Sequence, residues 1–195
     1  MIDCLYIAHR INTIKELKEI PNNYGVEIDL RDNKDNKIKI VHDPFLEGED
    51  FEEYLKIYNH AFIILNIKSE GIEYECIRLL NKYKINNYFF LDCSIPMINK
   101  LKKITNKIAI RLSELEPINL LENFKNDVEW VWIDCFTNFI LTETIYKKLK
   151  EWNIKICLVS PELQGRQEDL ENYDNIIINN KFKIDAICRK IYNIK

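Results

Sequence analysis

The stretch Ile7–Asp43 concentrates side chains that can take part in proton transfer. Two of the three histidines of the chain, His9 and His42, stand near its ends. His9 follows the apolar run LYIA and His42 follows the run IKIV, so each one comes directly after a predicted strand. Histidine titrates near neutral pH, which suits it to accepting and donating protons.

Two carboxylates lie between these histidines, in the segment GVEIDLR that spans residues 25–31. Glu27 and Asp29 are two residues apart in a strand-like alternation, and residues two apart in a strand point to the same face of the sheet. Histidines at two strand ends, together with two carboxylates on one face, predict a functional site rather than part of a packed core.

The elements that must position these side chains alternate along the whole chain. Apolar runs, helical spacing and breaks at proline, asparagine and glycine mark their limits. The predicted strands are Leu5–Ala8, Val26–Leu30, Ile38–Val41, Phe62–Ile67, Tyr88–Leu91, Lys107–Leu112, Val128–Ile133, Lys155–Val159 and Asn175–Ile178. The predicted helices are Thr13–Ile20, Phe51–Tyr58, Ile72–Tyr83, Met97–Ile104, Leu120–Phe124, Thr142–Trp152, Gln167–Tyr173 and Ile184–Tyr192.

Short apolar strands that alternate with amphipathic helices indicate a parallel sheet covered by helices. With Ile38–Val41 taken as an extension paired to the second strand, the pattern gives eight strand–helix units. This count predicts a single α/β domain over residues 1–195 with the fold of a compact (β/α)8 TIM-like barrel. The rival fold is an open doubly wound sheet, but no glycine-rich phosphate loop follows any strand and the chain has only 4 glycines.

Composition limits the classes of partner. The net charge is −3 and the chain has no basic block, so nucleic acid is not expected as a partner. No apolar run has the length of a membrane span, and the N-terminus lacks the pattern of a secretory signal. The 6 cysteines are spread singly, without metal-binding spacing. We therefore expect reduced cysteines, a cytoplasmic location and no transmembrane segment.

In a (β/α)8 barrel the active site lies at the carboxyl ends of the strands. His9 and Arg10 follow the first strand, and Asn66 and Lys68 lie two apart at the end of the third. Together with the two carboxylates and His42, these groups are expected to converge on one mouth.

The order of these motifs resembles the glycerophosphodiester phosphodiesterase family and its phospholipase D toxin relatives. The residues that carry the resemblance are HR at 9–10, NT at 12–13, GVEIDL at 25–30, KIVHD at 39–43 and NIK at 66–68. That family has a (β/α)8 barrel with an HRG motif, an E-x-D pair, an HD motif and an acidic-x-Lys strand end. The diagnostic motifs cover roughly the first third of the chain, and the rest matches only as a barrel.

The resemblance implies hydrolysis of a glycerophosphodiester or a related small phosphodiester. His9 and His42 would be the general acid–base pair, or one of them would be the nucleophile. A lyase-like transfer, in which a substrate hydroxyl attacks phosphorus and gives a cyclic phosphate, is equally compatible with these residues.

The resemblance also implies a divalent cation, Mg²⁺ or Ca²⁺. Glu27, Asp29 and Asn66 would hold it as hard oxygen ligands, and the cation would neutralise a phosphodiester oxygen. Arg10 and Lys68 would bind the remaining phosphate oxygens.

The chain departs from the family pattern at two of these positions. The glycine that follows His-Arg in the family is Ile11 here, and the third acidic ligand is Asn66. A carboxamide oxygen can bind a hard cation, but the loss of one negative charge should weaken the site. The segment between His42 and Asn66 has room only for a short helix, where the family usually carries an inserted cap. Substitute carboxylates stand at later strand ends, at Asp92, Glu114 and Asp134.

Two other interpretations remain open at this stage. The paired carboxylates could form an ion network with Arg10, Arg31 or Lys68 that closes the mouth instead of binding a metal. The chain could also be a catalytically weak or inactive barrel that binds a phosphorylated ligand or a protein partner, as the departures from the family pattern suggest.

Overall fold

The computed structural model describes residues 2–34 and 37–190, within which strands and helices alternate almost regularly. None of the helices there is long and apolar enough to cross a membrane. The strands are β1 (Leu5–Ala8), β2 (Gly25–Asp32), β3 (Ile38–Ile40), β4 (Glu49–Asp50), β5 (Phe62–Ile67), β6 (Tyr88–Leu91), β7 (Ala109–Leu112), β8 (Trp130–Ile133), β9 (Lys155–Val159) and β10 (Ala186–Arg189). The helices are α1 (Ile14–Glu19), α2 (Phe51–Ile57), α3 (Glu73–Lys82), α4 (Ile95–Leu101), α5 (Ile118–Glu122), α6 (Glu143–Glu151) and α7 (Leu170–Asn179), with 3₁₀-helices at Pro161–Gln164 and Gln167–Asp169.

The strands form one large sheet that is mostly parallel. Hydrogen-bonded neighbours follow the order β7-β8-β9-β10-β1-β2-β5-β6, and each of these pairings is parallel. A parallel bridge between Phe90 and Ile108 joins β6 to the residue before β7. β3 and β4 extend the sheet by antiparallel pairing at the far end of β2. The chain is therefore a mixed α/β fold, as the alternation predicts.

The two faces of the parallel strands pack into different parts of the core. One face packs against the helices in two large clusters of buried apolar side chains. The opposite face forms a separate apolar cluster to which every parallel strand except β2 contributes. β2 presents Glu27 to this face, in register with Ile64 of β5, and Asp29 two residues later. β2 therefore contributes buried carboxylates to a face that the other parallel strands fill mainly with apolar side chains.

The predicted elements near the C-terminus are wrong. The sequence predicts a strand at Asn175–Ile178, but these residues form the second half of α7, because Tyr173 and Ile177 are both buried at a helical spacing of four. It also predicts a helix at Ile184–Tyr192, but β10 lies there and pairs with β1 and β9. Residues 191 and 192 of that predicted helix lie outside the described residues.

The short helix predicted between His42 and Asn66 is present as α2. Phe51 and Tyr54 of α2 are fully buried among the apolar side chains that α1 and α3 also contact. The Tyr54 hydroxyl donates a hydrogen bond of 2.9 Å to the carbonyl oxygen of Ile11. α2 therefore belongs to the helical layer and supports the loop that follows β1.

Candidate functional site

The structure brings all seven predicted site residues together at one end of the sheet. The strand register explains why they meet, since Asp29 of β2 pairs with Asn66 of β5. On the other side β3 folds back along β2, and the Val41 amide donates to the Asp29 carbonyl oxygen at 2.9 Å. The seven residues are His9, Arg10, Glu27, Asp29, His42, Asn66 and Lys68.

Glu27 is buried, with 1% of its surface exposed. Its Oε1 accepts a hydrogen bond of 2.9 Å from Asn66 Nδ2, and its Oε2 accepts one of 2.8 Å from the backbone amide of Arg10. His9 Nε2 lies 3.8 Å from Oε2. Burial, followed by the negative charge of Asp29, raises the pKa of Glu27 above its usual range.

Asp29 is also fully buried, and Asn12 fixes its carboxylate. Asn12 Nδ2 donates to Asp29 Oδ2 at 2.8 Å, and the Asp29 amide donates to Asn12 Oδ1 at 3.0 Å. Two cations flank the same carboxylate: Lys68 Nζ lies 3.6 Å from Oδ1 and Arg10 Nε lies 3.9 Å from Oδ2. Asn12 is a site residue beyond the seven predicted ones, and the Asn-Thr pair at residues 12–13 is the sequence signal that could have revealed it.

His42 is held through both ring nitrogens. Its Nε2 lies 2.7 Å from Arg10 Nη2, and its Nδ1 lies 2.7 Å from Asp43 Oδ1. An arginine side chain carries donors only, so Nε2 must be the acceptor of that hydrogen bond. Nδ1 therefore carries the ring proton and donates a hydrogen bond to Asp43, and the lone pair of the ring is at Nε2.

His9 lies deeper in the site, with 23% of its side chain exposed. Burial, followed by the positive charge of Arg10, lowers the pKa of His9 to about 4. The His9 side chain is therefore neutral at pH 7. The third histidine, His60, precedes β5 at the opposite end of the strands and donates to the Ile20 carbonyl oxygen at 3.0 Å.

Arg10 has a left-handed backbone with a φ of 54°, while its neighbour Ile11 is buried. The left-handed backbone therefore lies at Arg10, and the position of Ile11 does not require a glycine. Ile11 packs instead into the apolar layer that contains α1 and α2. Half of the Arg10 side chain remains exposed, so its guanidinium can reach an incoming ligand.

A chain of ion pairs continues from Lys68 across the neighbouring strand ends. Lys68 Nζ lies 3.4 Å from Asp92 Oδ2, and Asp92 also pairs with Arg111, which pairs in turn with Asp134. Gln164 Nε2 donates to Asp134 Oδ1 at 2.6 Å. Of the three basic residues predicted to pair with the carboxylates, Arg10 and Lys68 do lie beside Asp29, whereas Arg31 donates to two backbone carbonyl oxygens instead. The ion pairs extend beyond the predicted network to Arg111, which the sequence did not reveal.

Of the three substitute carboxylates, only Asp92 contacts a predicted site residue in the described structure, and that residue is Lys68. Asp134 is held by Arg111. Glu114 instead accepts hydrogen bonds from the backbone amides of residues 136–138, which lower its pKa to about 2 against the opposing effect of burial. None of the three contacts Glu27, Asp29 or Asn66 directly.

The oxygen atoms around Asp29 suit a hard cation. Asp29 Oδ1 and Asn66 Oδ1 are buried and have no hydrogen-bond partner. Two carboxylates and one carboxamide form a donor set of the kind that Mg²⁺ and Ca²⁺ accept. Across residues 2–34 and 37–190, no three histidine, cysteine, aspartate or glutamate side chains are grouped to hold a metal, so a cation here would depend on Asn66.

Comparison with known proteins finds a shared fold. No model of a protein family matches the chain, and no curated protein does. The crystal structure of a glycerophosphodiester phosphodiesterase from Agrobacterium tumefaciens matches with a TM-score of 0.66 and 13% identity, over 95% of this chain and 96% of that one. A glycerophosphoryl diester phosphodiesterase from Parabacteroides distasonis matches with a TM-score of 0.63 and 13% identity, over 96% of this chain and 83% of that one. The resemblance found in the motifs is thus confirmed as a likeness of fold.

The lowered pKa of His9 makes stability depend on pH. The pKa of histidine in an unfolded chain is about 6.5, so at pH 5 the unfolded chain binds a proton that folded His9 does not. His9 should therefore lower the free energy of unfolding by about 2 kcal/mol between pH 7 and pH 5, whereas the raised pKa of Glu27 acts in the opposite direction. Urea denaturation of the wild type and of a His9 variant at both pH values isolates the contribution of His9.

The variant His9→Gln should lose that part of the pH dependence. His60→Gln is the comparison variant: burial also lowers the pKa of His60, but His60 is less buried than His9, so we expect this variant to lose less of the pH dependence. An unchanged pH dependence in His9→Gln would show that His9 is not held in its neutral form.

Proposed function

We propose that the chain cleaves phosphodiester bonds, with a glycerophosphodiester or a related small phosphodiester as substrate. One observation carries the proposal: two histidines, two buried carboxylates and two basic side chains converge at the carboxyl ends of neighbouring strands. A fold alone does not determine an activity, so the proposal rests on this combination of side chains and is supported by the fold of the two phosphodiesterases.

The architecture around the site completes this proposal. We infer that the bridge between Phe90 and Ile108 closes the eight parallel strands into a (β/α)8 barrel that forms a single domain over the chain. A closed ring of strands would place the ion pairs from Asp29 to Asp134 around one mouth. All 6 cysteines are free, which supports a reducing compartment such as the cytoplasm.

Arg10 and Lys68 would bind the phosphate. Both lie beside the same carboxylate, with Arg10 Nε 3.9 Å from Asp29 Oδ2 and Lys68 Nζ 3.6 Å from Asp29 Oδ1. Arg10 has a planar fork of donors that matches two phosphate oxygens, whereas Lys68 contributes a point charge. A phosphate that attracts the Arg10 guanidinium would also release His42 Nε2 from its hydrogen bond.

His42 would act as the proton acceptor, because the lone pair of its Nε2 faces the site and Asp43 holds the opposite nitrogen. His9 would donate a proton to the leaving oxygen. Its pKa is low in the free protein because of burial and the neighbouring cations. The negative charge of a bound phosphate offsets those cations and raises the pKa of His9 towards the range in which it can carry a proton.

Glu27, Asp29 and Asn66 would hold a divalent cation, Mg²⁺ or Ca²⁺. When bound, such a cation supplies a positive charge that neutralises a phosphodiester oxygen. The buried Oδ1 atoms of Asp29 and Asn66, which accept no hydrogen bond, support this assignment. Because Asn66 replaces a third carboxylate, cation affinity should be weaker than at a site with three acidic ligands.

Turnover of bis-(p-nitrophenyl) phosphate and of glycerophosphocholine, with Mg²⁺, Ca²⁺ or Mn²⁺, tests the activity. We expect turnover by the wild type, and a loss of about 10²- to 10⁴-fold in kcat for His42→Ala, because the proton acceptor is removed. His60→Gln is the control and should retain wild-type activity. Product analysis in oxygen-18 water separates hydrolysis, which incorporates the label, from transfer that yields a cyclic phosphate.

The absence of turnover with every metal, or activity that His42→Ala leaves intact, would contradict the proposal. Binding of a phosphorylated ligand without turnover would instead identify a barrel that has kept the phosphate site and lost catalysis. The neutral side chain of Asn66 is the observation that favours this second function.

Restoring the third carboxylate should strengthen cation binding. We expect Asn66→Asp to tighten Ca²⁺ binding about tenfold or more, because it adds a negative charge at a hard-oxygen ligand. Without cation the same variant should have a lower Tm, because three buried carboxylates would then repel one another. Isothermal titration calorimetry and thermal unfolding with and without Ca²⁺ measure both effects.

Asn87→Asp, at an exposed position before β6, is the matched charge control. It should change neither the Ca²⁺ affinity nor the gain in Tm on adding Ca²⁺. An Asn66→Asp variant that behaves in the same way would mean that this side chain does not face a cation.

A further inference from the structure

We propose that Arg31 is a positioning residue that fixes His42 and Lys68 relative to each other. Arg31 is partly buried near the end of β2, two residues after Asp29. The inference rests on the proposed function, because it concerns how the proton acceptor and the phosphate-binding ammonium reach the same substrate.

The guanidinium of Arg31 bridges two segments that come from opposite sides of β2. Its Nε donates a hydrogen bond of 2.9 Å to the carbonyl oxygen of His42, and its Nη1 donates one of 3.1 Å to the carbonyl oxygen of Lys68. The guanidinium is planar, with its donors in a fixed geometry. One side chain on β2 thus sets the separation between the backbones of two site residues.

These two segments lie at the limits of the sheet. On one side, the Val41 amide bonds to the Asp29 carbonyl, and β3 has already ended at Ile40. On the other side, the Lys68 amide bonds to the Leu30 carbonyl, and β5 has ended at Ile67. The Arg31 side chain supplies the next hydrogen bond on each side of β2. It therefore holds His42 and Lys68 in place where the backbone hydrogen bonds of the sheet end.

Arg31 acts through the backbone and does not contact the groups that would touch substrate. The His42 ring bonds to Arg10 and Asp43, and the Lys68 ammonium lies between Asp29 and Asp92. A displacement of about 1 Å in such a site can cost on the order of 10²-fold in rate. Arg31 therefore acts by holding the His42 ring and the Lys68 ammonium at the right positions for the reaction.

Two variants and one control separate geometry from charge. We expect Arg31→Met to lower kcat at least about 10-fold, because both backbone segments lose their shared partner. Arg31→Lys keeps the charge but cannot present donors from two nitrogens, and we expect it to remain impaired. Lys39→Met is the control. Lys39 is the register partner of Arg31 on β3, and this substitution also removes one positive charge. It should leave kcat within about twofold of the wild type.

A second readout does not depend on activity. The chain has only 3 histidines, so histidine labelled with nitrogen-15 gives few signals. NMR at pH 8 should show the wild-type His42 ring with its proton on Nδ1, held by Asp43. Arg31→Met should convert it to a mixture of the two neutral tautomers, whereas Lys39→Met should not.

The outcomes separate this inference from the proposed function. If the wild type has no activity but the His42 tautomer changes in Arg31→Met, the proposed function fails and the positioning role stands. An unchanged tautomer in Arg31→Met would overturn the positioning role, whatever the activity. Full recovery of kcat and tautomer in Arg31→Lys would also overturn it, since charge alone would then suffice.

Discussion

The burial of two carboxylates on one strand determines the arrangement around them. Glu27 and Asp29 are almost completely removed from solvent, and a buried charge is stable only when other groups compensate it. The compensating groups come from two other segments: the Arg10 amide and Asn12 from the loop after β1, and Asn66 and Lys68 from the end of β5. Meeting this electrostatic requirement brings the histidines and the basic side chains together.

The sequence predicted where these side chains lie better than it predicted the elements at the end of the chain. The alternation in GVEIDLR placed Glu27 and Asp29 on one face, because a strand has a strict period of two. Long-range contacts such as those of Arg31 and Arg111 could not be predicted, since they depend on how the strands lie side by side. The three isoleucines at 176–178 suggested a strand, but α7 forms there because tertiary packing buries Tyr173 and Ile177 on one helical face.

Asn66 is the position where the site departs most from the pattern it resembles. Its amide nitrogen donates to Glu27, which steadies that carboxylate without adding another negative charge. The Lys68 ammonium forms ion pairs with both Asp29 and Asp92. The positive side chains of the site therefore neutralise a larger share of its negative charge than they would if a third carboxylate stood at position 66. This balance explains how the chain can keep two buried carboxylates together while one oxygen of Asp29 and one of Asn66 accept no hydrogen bond.

Anomalous diffraction from a crystal soaked in Mn²⁺ tests this account most directly. We expect a single strong peak roughly 2.0–2.6 Å from oxygens of Asp29 and Asn66. We also expect the Lys68 ammonium to lie closer to Asp92 in the soaked crystal, because a divalent cation repels it. A soaked crystal with no peak beside Asp29 at saturating Mn²⁺ would contradict the account, and so would a peak that appears only at other surface carboxylates.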